Sequence, residues 1–366
     1  MAVAFTRAST DAREPTMLEA LVRQAAGCRV SGSPLYGRLL DELTDDYRRH
    51  GIVHELLSER PERPVHDAVP IRLLGAVHRL VLAGEAPALA AHYPSAGGAA
   101  DLSDKGAAAL TAAFFDTVAE HRATVVEGLG RTVQTNEVGR AAALVGGFSL
   151  VARRTGLPFR QLEVGASAGL LLRWDRYRYD TGASTLGPAD SPVRFVDAWV
   201  GDAPALMPEA TVAERRGCDI APIDPTNADG RLTLLSFVWP DQAHRLQRLA
   251  SALDIAAHHP VAVDAADAGD WLGAQLARPS TGRVTVVHHS IVLQYLPRPS
   301  FRAMKNALQQ AGARATTDAP LAWLRMEPAG GHADLRLTMW PGGDEELLGT
   351  TGYHGPPVHW VEPARH

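Results

Sequence analysis

The chain has only two cysteines, Cys28 and Cys218, and only two lysines, Lys105 and Lys305. Two cysteines cannot build a disulfide framework or a Cys-rich zinc site. The 36 cationic side chains are therefore almost all arginine, a bias that the excess of alanine and glycine ties to codon usage more than to chemistry. The formal charge of -5 excludes a strong basic field for nucleic acid or acidic lipid. No apolar run reaches the roughly 18 residues of a membrane-spanning helix. The opening MAVAFTRASTDAREP lacks the long apolar core of a secretory signal. Together these absences lead us to expect a cytoplasmic protein without a membrane or nucleic-acid partner. What is present is 366 residues, 46% hydrophobic and 21% charged, enough for about two globular domains of roughly 150 residues.

Residues 1–155 read as a helical cap domain. MLEALVRQAA and SPLYGRLLDELTDDYRRHG repeat apolar residues at three- and four-residue spacing, with Ser33 and Pro34 as cap and first-turn proline. SERPERPVHDAVP breaks the pattern, IRLLGAVHRLVLAG resumes it, and Asp101 or Ser103 caps a long helix from Lys105 towards Val126. Residues 156–366 change character. Short apolar segments, among them FRQLEV, RRGCDI, PVAVDAAD, RVTVVHHS, PLAWLRME, ADLRLTMWP and PPVHWVE, alternate in part with helical patterns. That order predicts parallel strands joined by crossover helices, with the last two segments as an antiparallel hairpin.

Leu162-Glu163-Val164-Gly165-Ala166-Ser167-Ala168-Gly169 is the most informative string. It admits a plain strand-to-helix turn of small residues. It also fits G-x-S-x-G, a nucleophile elbow, with Ser167 attacking an acyl carbon and Asp318 and His354 as partners. Against that, the preceding half is helical and no HGGG-type segment supplies an oxyanion hole. A dinucleotide fingerprint would need glycine at positions 167 and 170, occupied by Ser167 and Leu170. The spacing instead resembles E-x-G-x-G-x-G, the first motif of class I S-adenosylmethionine-dependent methyltransferases, with Ser167 at the middle glycine.

That resemblance implies an α/β, Rossmann-like, seven-stranded sheet behind an all-helical N-terminal domain. It places Glu163 near the ligand's ammonium group, Gly165, Ser167 and Gly169 along its backbone approach, Asp219 on the ribose hydroxyls and Asp267 beside the adenine. The distance from Glu163 to Asp219 exceeds the usual helix and turn, so an inserted ribbon is expected around residues 176–212; otherwise Asp180 is the ribose acid. The strings SPLY, QTNEVGR, EVGASAGL with WDRYRY, GCDIAPIDPT, HHSIVLQYLP and WLRME also resemble, over nearly the whole chain, a bacterial family of uncharacterised proteins. That family carries a domain-of-unknown-function label and has a methyltransferase-like core, and its reaction is not established.

Thr135 or Asn136 is read as a helix cap, with Glu137 favouring the positive helix end. Arg140 suits a carboxylate clamp near the turn. His288 and His289 alternate, so one faces the packed side of the sheet and the other the cleft. His289 is taken as a base or substrate-orienting group, the alternative being a hydrogen-bonded strand-end histidine. Glu327 ends the fifth strand towards the cleft. Trp174 is read as packing. The spacing offers no metal site. The expected function is methyl transfer from S-adenosylmethionine to oxygen or nitrogen of a small molecule, with His289, Arg140 and Glu327 on the acceptor side. The alternatives are a non-catalytic nucleoside-binding regulator and a serine hydrolase using Ser167.

Overall fold

The computed structural model describes residues 15–58, 60 and 62–361. The segment 1–14, read above for its lack of a signal core, lies outside the described residues. In chain order the helices of the first part are α1 (Met17–Val30), α2 (Pro34–Arg48), α3 (Ile52–Leu57), α4 (Val69–Leu82), α5 (Pro87–Ala90), α6 (Asp104–Glu120) and α7 (Arg122–Gly128). Helix α8 (Ala141–Thr155) leads into β1 (Phe159–Val164). Three short strands follow, β2 (Arg178–Asp180), β3 (Thr185–Leu186) and β4 (Arg194–Val196), then β5 (Val212–Asp219). The remainder runs α9 (Ala228–Ser236), α10 (Ala243–His258), β6 (Ala262–Ala265), α11 (Ala268–Gln275), β7 (Val284–Ser290) and α12 (Arg298–Ala313). It closes with β8 (Leu321–Ala329), β9 (His332–Trp340), β10 (Glu345–Gly352) and β11 (Gly355–Trp360).

These elements form two compact units, one of residues 136–226 and 251–361, the other of residues 15–135 and 227–250. The helical unit is thus completed from far along the chain. Ser33 caps α2 through the Tyr36 N–H, with Pro34 in the first turn. Asp241 in turn accepts from the Ser33 hydroxyl and the Leu35 N–H at 2.5 and 2.9 Å. His78 on α4 bonds the Ser236 carbonyl at 3.0 Å, and Gly75 lies so close to Phe237 that a Cβ would sit 2.7 Å from the ring. The expected helix beyond Lys105 is two helices, because the chain turns at His121. The long pattern after Arg231 likewise breaks before Pro240, whose ring and missing N–H end a helix, giving α9 and α10.

The α/β unit contains an eight-stranded, mixed sheet in the order β11-β10-β9-β8-β7-β1-β5-β6. Five strands from β6 to β8 are parallel, and β8 to β11 form an antiparallel meander. The expectation of seven strands is corrected here. β9 and β11 do not pair with each other; β10 runs between them. It escaped notice because EELLGTTG has only Leu347 and Leu348 as apolar residues, with a register shift between Leu347 and Gly349.

Strand β7 is buried along its whole length, as a central parallel strand covered on both faces must be. One face packs Leu162, Val164 and Val287 against Leu272 of α11 and Met304 and Leu308 of α12. The other face meets α8, where Phe148 stacks on Trp174 with ring centroids 4.6 Å apart. A Cβ on Gly147 of that helix would overlap the Leu324 methyls. β2, β3 and β4 make a separate small sheet in the segment between β1 and β5.

Candidate functional site

At the C-terminal end of β1 the backbone turns through three left-handed residues, Gly165 (φ 69°), Ser167 (φ 52°) and Gly169 (φ 68°). Position 165 needs glycine twice over, since a Cβ there would also overlap a Val292 methyl. Neighbouring groups satisfy the turn's main chain. Ala166 N–H donates to the Cys218 carbonyl and Ser167 N–H to Asp219 Oδ2, both at 2.9 Å. Leu170 N–H donates to Asn136 Oδ1 at 3.0 Å. Asn136 thus tethers the glycine turn rather than capping its own helix, while Glu137 takes the cap role through the Gly139 N–H.

The carbonyl side of the turn is held by Arg173, only 2% exposed. Its guanidinium donates to the Ala168, Gly169 and His259 carbonyls at 3.2, 2.8 and 2.7 Å. Tyr177 donates to the Leu170 carbonyl at 2.7 Å. Sequence reasoning overlooked Arg173. Its one signal was a cation inside the apolar string LLLRW, where burial demands paired acceptors.

Glu163 stands in the middle of this arrangement, 1% exposed, with its Oε2 buried and without a hydrogen-bond partner. Burial, reinforced by the charge of Asp219, pushes its carboxyl well above the usual range, against the opposing pull of Arg173 and Arg140. Ser167 Oγ is a second buried polar atom without a partner. Asp219 is placed at the turn by its strand: Oδ2 takes the Ser167 N–H and Oδ1 the Ala221 N–H, each at 2.9 Å. Asp180 instead lies on β2 of the small sheet and takes the Gly182 N–H. Asp267 caps α11 through the Gly269 and Asp270 N–H groups and also accepts from the Ser300 hydroxyl at 3.0 Å. Its neighbour Asp264 is paired to Arg216, which lowers its carboxyl below the ordinary range.

The two histidines at the end of β7 point to opposite faces. His288 lies on the α8 side, where its Nε2 meets the Gln161 amide at 2.8 Å and its Nδ1 is buried without a partner. Burial drives it down to about 3, so the ring is neutral. His289 lies on the other face with both nitrogens engaged: Trp323 Nε1 donates to Nε2 at 2.9 Å, and Nδ1 lies 2.6 Å from Glu327 Oε1. An indole nitrogen only donates, so the neutral His289 ring carries its proton on Nδ1 and gives that bond to Glu327. Glu327 also accepts from the Val292 and Leu293 N–H groups at 3.1 and 3.3 Å, fixing the loop after β7. Arg140 donates to the Tyr353 and Ser290 carbonyls at 2.9 and 3.0 Å.

The structure therefore gathers Glu163, Gly165, Ser167, Gly169 and Asp219 at one strand end, with Arg140 close enough to act on the Glu163 charge. His289 and Glu327 pair with each other across β7 and β8. Of the residues weighed as partners for a Ser167 nucleophile, Asp318 precedes β8, where its carbonyl accepts the Gly282 N–H. That is the opposite end of the parallel strands from Ser167. His354 sits in the turn between β10 and β11. Among the described residues no cluster of three or more His, Cys, Asp or Glu side chains is grouped to hold a metal ion, and no helix is long and apolar enough to cross a membrane.

No curated protein and no solved structure matches the chain. Residues 18–360 match a family described as an uncharacterized protein conserved in bacteria, DUF2332, and the chain belongs to that family.

Proposed function

We propose that the end of β1, β5 and β7 binds S-adenosylmethionine and that the protein transfers its methyl group to oxygen or nitrogen of a small molecule. The observation that carries this reading is the buried, unpartnered Glu163 Oε2 beside the glycine turn, with Asp219 one strand away. An isolated buried acid is costly, and a ligand with a cationic donor would remove the cost. The strand order supports it. Moving outward from β1, the chain continues on one side through β5 and β6 and on the other through β7 and β8. Such a reversal opens a crevice beyond the strand ends, the usual ligand position in Rossmann-like sheets.

In this reading Glu163 holds the ligand's ammonium group, the turn from Gly165 to Gly169 lies along its backbone, and Asp219 takes the ribose hydroxyls. Each Asp219 oxygen accepts one backbone N–H and has a lone pair left for a ribose hydroxyl. Asp267 would reach the adenine side through the oxygen that does not cap α11. The bound ligand supplies an activated methyl group; the chain's own work is alignment. Arg140 would orient the acceptor. His289 and Glu327 would hold the loop after β7 against it, because the His289 nitrogens are already engaged.

That same engagement favours a second reading, a regulator that binds the nucleoside ligand without turning it over. Titration calorimetry with S-adenosylmethionine and S-adenosylhomocysteine tests the first step. We expect micromolar binding, weakened at least about tenfold, or 1.4 kcal/mol, by Asp219→Asn. No binding of either ligand to folded protein refutes the proposal. Binding without methyl transfer across an acceptor screen favours the regulator.

A further inference from the structure

We propose that Glu163 holds a proton while its site is empty and gives it up to solvent when the ammonium group of an amino-acid-bearing ligand arrives, so that binding is coupled to proton release. This rests on the S-adenosylmethionine reading, because it takes the ammonium group from that class of ligand. The geometry starts it. Glu163 lies in register between Gly217 of β5 and His288 of β7, at the end of the middle strand of the five parallel ones. Its Oε2 is sealed from water with no protein donor to replace water's hydrogen bonds.

From β5 come Asp219, a like charge, and Cys218, whose thiol burial pushes up to about 12. From β7 comes His288, a neutral ring. The segment after the glycine turn contributes Tyr177, raised by burial and so uncharged, and Arg173, whose guanidinium is spent on three carbonyls. The segment before α8 contributes Arg140, bonded to the Ser290 and Tyr353 carbonyls. The two arginines pull towards the carboxylate but act through space; burial and Asp219 outweigh them. The protein groups alone therefore favour the neutral acid.

An ammonium group reverses that balance. It brings a positive charge and three donors to the place where Oε2 has none. The Glu163 O–H bond breaks, its electrons stay on the carboxylate, and the proton goes to solvent; nothing is oxidised or reduced. Affinity for such a ligand should then rise about tenfold per pH unit until the empty site titrates, and level off beyond. A ligand without the ammonium group should show no such dependence.

Calorimetry of the full chain at about pH 7 in buffers of different ionisation enthalpy counts the protons. S-adenosylmethionine and S-adenosylhomocysteine should each release protons on binding, while 5′-methylthioadenosine, which lacks the amino acid, should release none. E163Q should abolish the release. Buffer-independent heats for bound S-adenosylmethionine, or a release that persists in E163Q, would overturn the inference while leaving the cofactor reading intact. Absence of binding by all three ligands would instead sink the cofactor reading. Infrared spectra of the ligand-free protein still decide the empty state in that case: a protonated-carboxyl band at neutral pH should be present in the parent and missing in E163Q, and its absence in the parent overturns the proposal.

Discussion

Replacing Arg173 by methionine keeps most of the side chain's bulk and removes a guanidinium that donates to three carbonyls around the glycine turn, of which Gly169's keeps the Leu172 N–H. Those carbonyls, from Ala168, Gly169 and His259, accept at 2.7 to 3.2 Å from a guanidinium that is 2% exposed. A hydrogen bond involving a charged group contributes about 1.5–3 kcal/mol net, and a buried acceptor left alone costs about 1–3 kcal/mol. Against this stands the desolvation of the guanidinium itself, which lowers the Arg173 proton affinity and is relieved in the variant. The balance is an expected loss of about 3–4 kcal/mol, a large share of the roughly 5–15 kcal/mol that holds a typical domain folded. Arg173→Lys retains charge and donors without the planar fork and should recover about half of that loss. Urea unfolding followed by far-ultraviolet circular dichroism, with hydrogen exchange at Gly169, Leu170 and Leu172, measures both the global and the local effect. A methionine variant within about 0.5 kcal/mol of the parent at equal m-value, with unchanged exchange, would refute the reasoning.

Two further outcomes are expected. Gly165→Ala combines a left-handed backbone with overlap on Val292 and should cost about 2–4 kcal/mol in urea unfolding; adding Val292→Ala should recover the steric part, and full recovery would show that the backbone contributes nothing. The Glu163 carboxyl is raised in the folded protein above its ordinary value of 4.5, so the folded state keeps a proton that the unfolded chain has lost. The parent's stability should therefore fall as pH climbs from that ordinary value to the raised one, by up to about 1.4 kcal/mol per pH unit, relative to Glu163→Gln. Parallel stability curves for the two proteins between about pH 5 and about pH 8 would contradict this assignment.

How far the sequence discloses the structure varies by element, for physical reasons. β7 could be read because its VTVV stretch is rich in the β-branched residues that favour a strand, and VTVVHHS is buried throughout. The β1 turn could be read because left-handed backbone selects small residues. β10 could not, since its pairing rests on backbone bonds to β9 and β11 rather than on apolar alternation. α11 was hidden by its own cap: an aspartate before a short helix looks the same whether it binds N–H groups or a ligand, and Asp267 does at least the first. The environment of His289 was beyond any local reading, because Trp323 and Glu327 reach it only through the register of β7 against β8. Asn136 and Arg173 were misjudged or missed for a related reason. Their partners are main-chain groups of a turn, which no residue pattern announces.

The interleaving of the two units bears on how the chain must be made. The helical unit draws α9, Phe237 and Asp241 from residues 227–250, and the α/β unit cannot pair its central β1 until β5 and β7 have been synthesised. At about 5–20 residues per second, β1 waits on the order of ten seconds for β7. Until β5 emerges both its edges carry unpaired backbone N–H and C=O groups, and from then until β7 one edge does. A fragment ending at residue 155 would lack part of the helical core, and one beginning at residue 156 would lack α8 and Arg140. Neither half is an inheritable piece on its own: shuffling, truncation or domain fusion at the apparent boundary should yield aggregates, and only the uncut chain should be transferable as a folding unit.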